Sequence, residues 1–405
     1  MADVEAKSIS TLKAFYDLMH ETAVVRRPMV QAVMEGGAIE AEHLERLRSA
    51  RQSLAAIPRA GEKHRLSLDE GSSIEVDLDY EIGELDKDIV YAEQGEARLL
   101  EHLAGLHEGF ERQVSEVEEL LSNVKFNTFI TDRDGTINNY CGRYGSSIQS
   151  AYNAVFVSRF AKSRARHPII MTSAPLKDVG LLDVNVSPPG IFIHAASKGR
   201  EFVDMQDRRH SFPIEDEKKA LIDSLEVKLR ELISHPQHQK FGLIGSGFQV
   251  KFGQITIARQ DISKSIDPEE SGALLEKVRA RVEEVDPDEK HFRIEDTGLD
   301  IEIILTISGD GDELKDFDKG DGVHYVSRAL GLGMSSGPHL VCGDTSSDLP
   351  MLRAAMDCSP EDTFSVFVTR KDDLAGRVRE ICPRSVVVEE PDVLVAALNR
   401  LAPPG

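Results

Sequence analysis

Along the first 124 residues, apolar positions recur every three or four places. Leu99, Leu103, Leu106, Phe110, Val114, Val117 and Leu121 form one such stripe, and Leu12, Phe15, Met19 and Thr22 form an earlier one. That spacing puts the side chains on one face of a helix. The stretch EGGAIEAEH around Gly36 interrupts the pattern as a helix–helix connection does. Residues 74–82 carry two periods at once. They alternate as a strand would, yet Ile74, Leu78, Ile82, Leu85 and Ile89 also make a helical stripe, and the helix is the reading adopted. Residues 1–124 are therefore expected to form an all-helical domain, a small antiparallel bundle whose stripes pack on one another.

From Phe126 onward the pattern changes. Short apolar runs (NTFIT, PIIMT, GIFIHA, PHLVCG, FSVFV, SVVVEE) alternate with amphipathic stretches. Runs that are apolar without alternating suit parallel strands buried on both faces, and helices between them make the class α/β. Residues 205–315 differ again. FGLIGS, QITIARQ and DIEIILTIS read as antiparallel strands, and Glu269 to Val285 reads as a charged helix. The expected layout is a helical domain at 1–124, a Rossmann-like core at 125–204 and 316–405, and an α/β insert at 205–315.

A chain of 405 residues exceeds one compact core. Its net charge of −22 is uneven: the first 120 residues hold 26 acids and 13 bases, which is −13 and leaves −9 for the rest. Such a surface repels nucleic-acid phosphates and anionic membranes, so neither is an expected partner. Cys141, Cys342, Cys358 and Cys382 show no CxxC spacing and read as reduced intracellular thiols. MADVEAKSIS lacks the apolar core of a signal peptide, and no apolar run approaches the ~20 residues a membrane span needs. A cytoplasmic location is the expectation.

Three core strands end in reactive groups. NTFIT runs into Asp132 and Asp134, PIIM into Thr172 and Ser173, and PHLVCG into Asp344 within GDTSSDLPM, with Asp348 four residues on. Ligands of an open parallel sheet bind beyond the carboxyl ends of its strands, so these groups converge on one edge. A tight turn explains any one Asp-x-Asp-Gly, but explains the set poorly. A carboxylate nucleophile, a second carboxyl for protons and a third for a divalent cation suit phosphoryl transfer through an aspartyl-phosphate. Hard oxygen ligands point to Mg²⁺. A hydroxyl such as Thr172 and a lysine would bind the phosphoryl oxygens. Lys319, opening an amphipathic helix before PHLVCG, suits that lysine. The 147 residues from Thr172 to Lys319 exceed one crossover, which makes the odd stretch between them a lid.

In this order, DRDGT, Thr172, Lys319 and GDTSSD resemble the haloacid dehalogenase superfamily of phosphatases. Within it, NNYCGRY, SKGREF, GSGFQVKFGQITI, LDIEI and GDTSSDLPML resemble the trehalose-6-phosphate phosphatases, above all the nematode form with an N-terminal helical domain. The resemblance implies that Asp132 is the nucleophile and that Asp134 protonates the leaving sugar oxygen and then activates water. It implies that Thr172 and Lys319 bind phosphate. Asp132, the main-chain carbonyl of Asp134 and Asp344 would hold Mg²⁺, with Asp348 in support. It further implies that Arg200, Glu201, Gln249, Lys251 and Glu302 face the sugar. Arg133 departs from the apolar or aromatic residue usual between the two aspartates, and its side chain is expected to point away from the phosphate. Open alternatives are another sugar phosphate, such as sucrose phosphate or a glycosylglycerol phosphate, and a non-catalytic regulatory protein. In the last case the helical domain would be the working part, through self-association or protein binding.

Overall fold

The computed structural model describes residues 6–68, 73–308 and 314–403. The leading residues of the signal-peptide reading, 1–5, lie outside them. The core is an eight-stranded sheet. Across it run Ser385–Val388, Thr363–Val368, His339–Gly343, Phe126–Thr131, Ala165–Met171 and Ile193–Ala196, then Glu201–Val203 and Arg209–Ser211. The first six are parallel and the last two antiparallel. All six predicted parallel strands are present. Phe126–Thr131 lies inside the sheet, with Ile130 abreast of Val341 on one side and Ile169 on the other. Successive side chains of a strand face opposite ways. Phe129 therefore packs on Phe160 of the helix Ala151–Arg164, while Ile130 joins the apolar layer under Lys319–Leu330 and Leu349–Cys358.

The insert forms a second sheet, in the order Phe292–Asp296, Asp300–Leu305, Gln254–Ala258, Phe248–Lys251, all antiparallel. Ile255, Ile257, Ile301 and Ile303 belong to the apolar core that Leu225 and Leu229 of helix Asp216–Ser234 and Leu274 and Val278 of helix Pro268–Val285 share. The alternation that points these isoleucines one way points Gln249, Thr256 and Glu302 the other. These three lie on one rung of the sheet. FGLIGS is not a strand. It forms a 3₁₀ turn at Gln239–Gly242 and a connection with Gly245 and Gly247 at positive φ, and the strand follows at Phe248. Glycine spends its freedom on such turns, which outweighs the apolar run around it.

The N-terminal segment has helices Leu12–Met34, Ala41–Ala55, Asp79–Leu106 and Phe110–Leu121. It is not wholly helical. Arg59–Ala60, Lys63–Ser67 and Ser73–Val76 form a small antiparallel sheet, so the start of the 74–82 stretch is a strand. Ile74 and Val76 are buried while Ser73 and Glu75 face out, and the pairing with Lys63–Ser67 decides between the two periods. The helix begins only at Asp79. The last stripe also breaks: Leu106 is exposed, and Gly109 at φ 68 turns the chain between two helices. The helices do more than pack on one another. Leu12–Met34 lies on Ala151–Arg164, and Phe110–Leu121 on Pro391–Leu401, as an outer layer of the core. Two buried ion pairs fix this layer, Arg26–Asp88 at 2.6 Å and Lys87–Asp392 at 2.7 Å.

Candidate active site

The central strand delivers Asp132 into the crevice beyond its carboxyl end, the Asp132 amide still bonded to Cys342 O at 3.0 Å. The chain then turns through Gly135. A Cβ there would lie 2.2 Å from Asp344 Oδ2, so only glycine, at φ 91, lets this turn approach the neighbouring strand's aspartate. Lys319, the first residue of its helix, reaches back to Asp132 Oδ1 at 2.5 Å and Asp348 Oδ1 at 2.6 Å. Thr136 Oγ1 bridges Asp132 Oδ2 at 3.3 Å and Asp344 Oδ1 at 3.2 Å. The other oxygen of Asp348 accepts from the amides of Asp344 and Thr345. Asp348 thus holds the turn and the lysine together.

Burial governs the charges. It pushes the Asp132 carboxyl up to about 6 against the pull of Lys319. Burial, with Asp132 and Asp348 close by, pushes Asp344 up to about 9. Burial opposes the ammonium of Lys319, but the two carboxylates hold it protonated, above the usual lysine range. For Asp348 burial is likewise overcome, by Lys319 and the two amides, and the group stays below the usual carboxylate range. One cation among three carboxylates leaves the cluster short of positive charge.

Asp134 stands beside this centre. Its Oδ1 accepts from Ser147 Oγ and from Arg133 Nη1, each at 2.5 Å. Arg133 is buried, and it also donates to the carbonyls of Ser147 and Val184. It therefore clamps Asp134 rather than leaving it. Thr172 Oγ1 accepts from the Ala174 amide at 3.2 Å, which frees its hydroxyl hydrogen.

Asp132, Asp134, Thr172, Lys319 and Asp344 open into one cleft of about 270 Å³, and from the insert Gln249, Lys251, Thr256, Asp300 and Glu302 line its far wall. The structure does not bring Arg200 and Glu201 there. The Arg200 guanidinium sits 5.3 Å from the Phe317 ring and donates to Gly253 O and Leu305 O, at the joint between core and insert. Glu201 pairs with Arg209 and accepts from Ser197 Oγ. Glu201 opens the first antiparallel strand of the core's edge, and Arg200 caps the 3₁₀ turn just before it, facing the insert.

The model of the trehalose-6-phosphate phosphatase C-terminal family matches residues 129–394, and that of the trehalose-6-phosphate phosphatase N-terminal helical bundle domain matches residues 11–104. The chain belongs to the trehalose-6-phosphate phosphatase family. A trehalose-phosphatase of Caenorhabditis briggsae is 30% identical over 73% of this chain and 70% of its own length. One of Caenorhabditis elegans is 26% identical over 96% and 95%. A protein of Aphelenchoides avenae named alpha,alpha-trehalose-phosphate synthase [UDP-forming] 2 is 34% identical over 98% of this chain and 32% of its own. The chain thus spans about a third of the length of the synthase-named relatives it matches.

Within this trehalose-6-phosphate phosphatase family member, sequence reasoning passed over Thr136, Ser147, Asp300 and Tyr140. Tyr140 stands 66% exposed at the cleft mouth, inside the quoted NNYCGRY motif. Asp300 had a signal too: it shares its strand face with Glu302, two residues away. Ser147 had none, because only the fold brings it to Asp134. Among the described residues no helix is long and apolar enough to cross a membrane.

Proposed function

We propose that the chain is an Mg²⁺-dependent phosphatase that hydrolyses trehalose 6-phosphate to trehalose and phosphate. The observation that carries this reading is Asp132: buried at the end of the central strand, one oxygen held by Lys319 and the other facing Thr136 beside the cleft. In the proposed reaction, an Asp132 oxygen forms a bond to phosphorus as the bond to the sugar oxygen breaks. Asp134, its Oδ1 fixed by Arg133 and Ser147, gives a proton to that oxygen from Oδ2. It then takes one from the water that cleaves the aspartyl-phosphate, so the proton and both carboxylates return to their starting states. The free hydrogens of Thr172 and Lys319 suit the phosphoryl oxygens, where charge is greatest.

The acidic cluster fits a hard cation. Asp132, Asp344 and Asp348 each offer an oxygen, all within 4.8 Å of one another, and an all-oxygen donor set suits Mg²⁺. Asp132, Asp344 and the carbonyl of Asp134 would hold it. Asp348, its oxygens engaged by Lys319 and two amides, would support them from behind. When bound, the ion supplies positive charge toward the phosphoryl group. The full-length match to proteins named trehalose-phosphatase supports the substrate, as does a polar wall of Gln249, Lys251 and Glu302 suited to sugar hydroxyls.

The test is phosphate release with Mg²⁺ from trehalose 6-phosphate, sucrose phosphate, glucose phosphate and a glycosylglycerol phosphate, with Asp132→Asn as the blank. Strong preference for trehalose 6-phosphate is expected. Preference for another member removes the substrate and leaves the chemistry, and activity in the Asp132→Asn protein would falsify the mechanism.

A further inference from the structure

The loop after the central strand carries six cleft residues, from Tyr140 to Ser147. Its own regular structure is a single 3₁₀ turn, Tyr144–Ser146. The N-terminal segment holds it. Glu81 is fully buried, and its carboxylate accepts from Arg143 Nη2 at 2.9 and 3.1 Å and from Ser146 Oγ at 2.6 Å. The hydroxyl of Tyr80 accepts from Asn138 Nδ2 at 3.0 Å, and Glu84 accepts from Asn139 Nδ2 at 2.9 Å. Residues three or four apart share a helix face, so the first two turns of Asp79–Leu106 present this grip as a unit. From the other side, the Tyr16 ring lies so close that a Cβ on Gly145 would come within 3.2 Å of it.

The grip reaches the chemistry. Asn138 Nδ2 lies 3.1 Å from Ser147 Oγ, which donates to Asp134 Oδ1. We propose that Tyr80 and Glu81 are positioning residues: from the N-terminal domain they set the 138–147 loop and, through Asn138 and Ser147, the aim of Asp134. The proposal rests on the reading of Asp134 as the group that moves protons. The plainer account is that Glu81–Arg143 merely docks one domain on another. The buried pair Arg26–Asp88 is structural in that sense: it joins two N-terminal helices away from the cleft, and Asp88 also accepts from the Tyr152 amide of the core. A docking pair sets the melting temperature. A positioning pair also sets kcat in the folded protein, because a small misplacement of a reacting group is costly in rate.

The experiment compares full-length Tyr80→Phe, Glu81→Gln and a control, Arg48→Ala, which loses an exposed ion pair in the same segment. kcat and KM are measured on trehalose 6-phosphate and on a small aryl phosphate, well below each protein's melting temperature. Hydrogen exchange of the 138–147 amides is followed in parallel. Expected are a kcat reduced about threefold in Tyr80→Phe and about tenfold in Glu81→Gln on both substrates, with KM little changed. Exchange should quicken within 138–147 and nowhere else, and Arg48→Ala should match the parent. Parent kcat and parent exchange in either folded variant overturn the proposal, and Tyr80→Phe decides it should Glu81→Gln fail to fold. A parent protein silent on both substrates overturns the phosphatase reading and with it the catalytic part of this one. The exchange data separate that outcome from a failure of the loop contacts.

Discussion

The ammonium of Lys319 lies 2.5 Å from Asp132 Oδ1, across 187 residues of chain, with both side chains buried. The insert lies between them in sequence and above them in space. A pair formed this way ties the two halves of the core together, and in the proposed reaction it also supplies the charge that meets the phosphate.

Removing one partner of a buried, hydrogen-bonded pair leaves the other charge uncompensated, at a cost of about 3–5 kcal/mol. In Lys319→Met, Asp132 and Asp348 would face each other without their shared cation. The expected outcome is phosphate release reduced at least ~100-fold, as when a transition-state donor is lost, together with a markedly lower urea midpoint. Near-parent stability in urea melts would show that Asp132 and Asp348 take up protons instead of remaining charged.

Arg133 Nη1 and Ser147 Oγ both hold Asp134 Oδ1. In Arg133→Met the carboxylate keeps one of its two short bonds and gains freedom to rotate. A kcat loss of about tenfold is expected, and a similar one in Ser147→Ala, which removes the other bond and with it the loop's hold on Asp134. Arg133→Lys should not rescue, since an ammonium cannot reach Asp134 and the carbonyls of Ser147 and Val184 together. Full kcat in Arg133→Lys would reduce the clamp to a bare charge effect.

The two groups of predicted sugar-facing residues should now separate. Lys251 lines the cleft, and Lys251→Ala is expected to raise KM for the disaccharide phosphate several-fold while sparing a small aryl phosphate. Arg200 grips two carbonyls of the insert and lies over Phe317. Arg200→Ala should lower the melting temperature and slow both substrates alike. Substrate-selective loss in Arg200→Ala would return it to the sugar site.

That contrast shows what was legible in the chain. Asp132, Thr172, Lys319 and Asp344 could be read because each ends a buried apolar run or opens a helix, and sheet topology sends all such ends to one edge. The six core strands could be read for the same reason. Arg200 could not be placed, because a polar residue beside a hinge and one beside a ligand look alike in sequence. Ile74 carried two periods, and only its pairing with Leu66 settles the matter. FGLIGS misled because its apolar residues cover a glycine turn. The helical stripes of the first 124 residues were visible, but their choice of the core as partner was not. An apolar stripe does not say what covers it.

The carboxylate cluster predicts a cation dependence that binding can test apart from activity. Chelation should abolish phosphate release and Mg²⁺ should restore it. Mg²⁺ at about a hundred times its Kd should also stabilise the protein by about 2.7 kcal/mol, read as a rise in melting temperature. Asp344→Asn, which removes one oxygen donor from the cluster, should lose most of that rise. An equal rise in Asp344→Asn would place the ion elsewhere.

His194 predicts how stability depends on pH. It sits in the buried strand Ile193–Ala196, with Asn185 Nδ2 2.7 Å from its Nε2. Burial pushes its imidazole down to about 4, against about 6.5 in an unfolded chain. Between those values the unfolded chain binds a proton that the folded one refuses. Acid therefore favours unfolding: the contribution is whole above pH ~6.5 and fades as pH falls toward 4. From pH 7 to 5 the loss should be about 2 kcal/mol from this residue alone. The buried Asp132 titrates in the same range, so the informative quantity is the difference between parent and His194→Gln in urea melts at the two pH values. The variant, whose amide can still meet Asn185 and does not titrate, should lose about 2 kcal/mol less than the parent. Equal losses would mean that the folded protein admits the proton, and that the strand end beside Asn185 opens to water at pH 5.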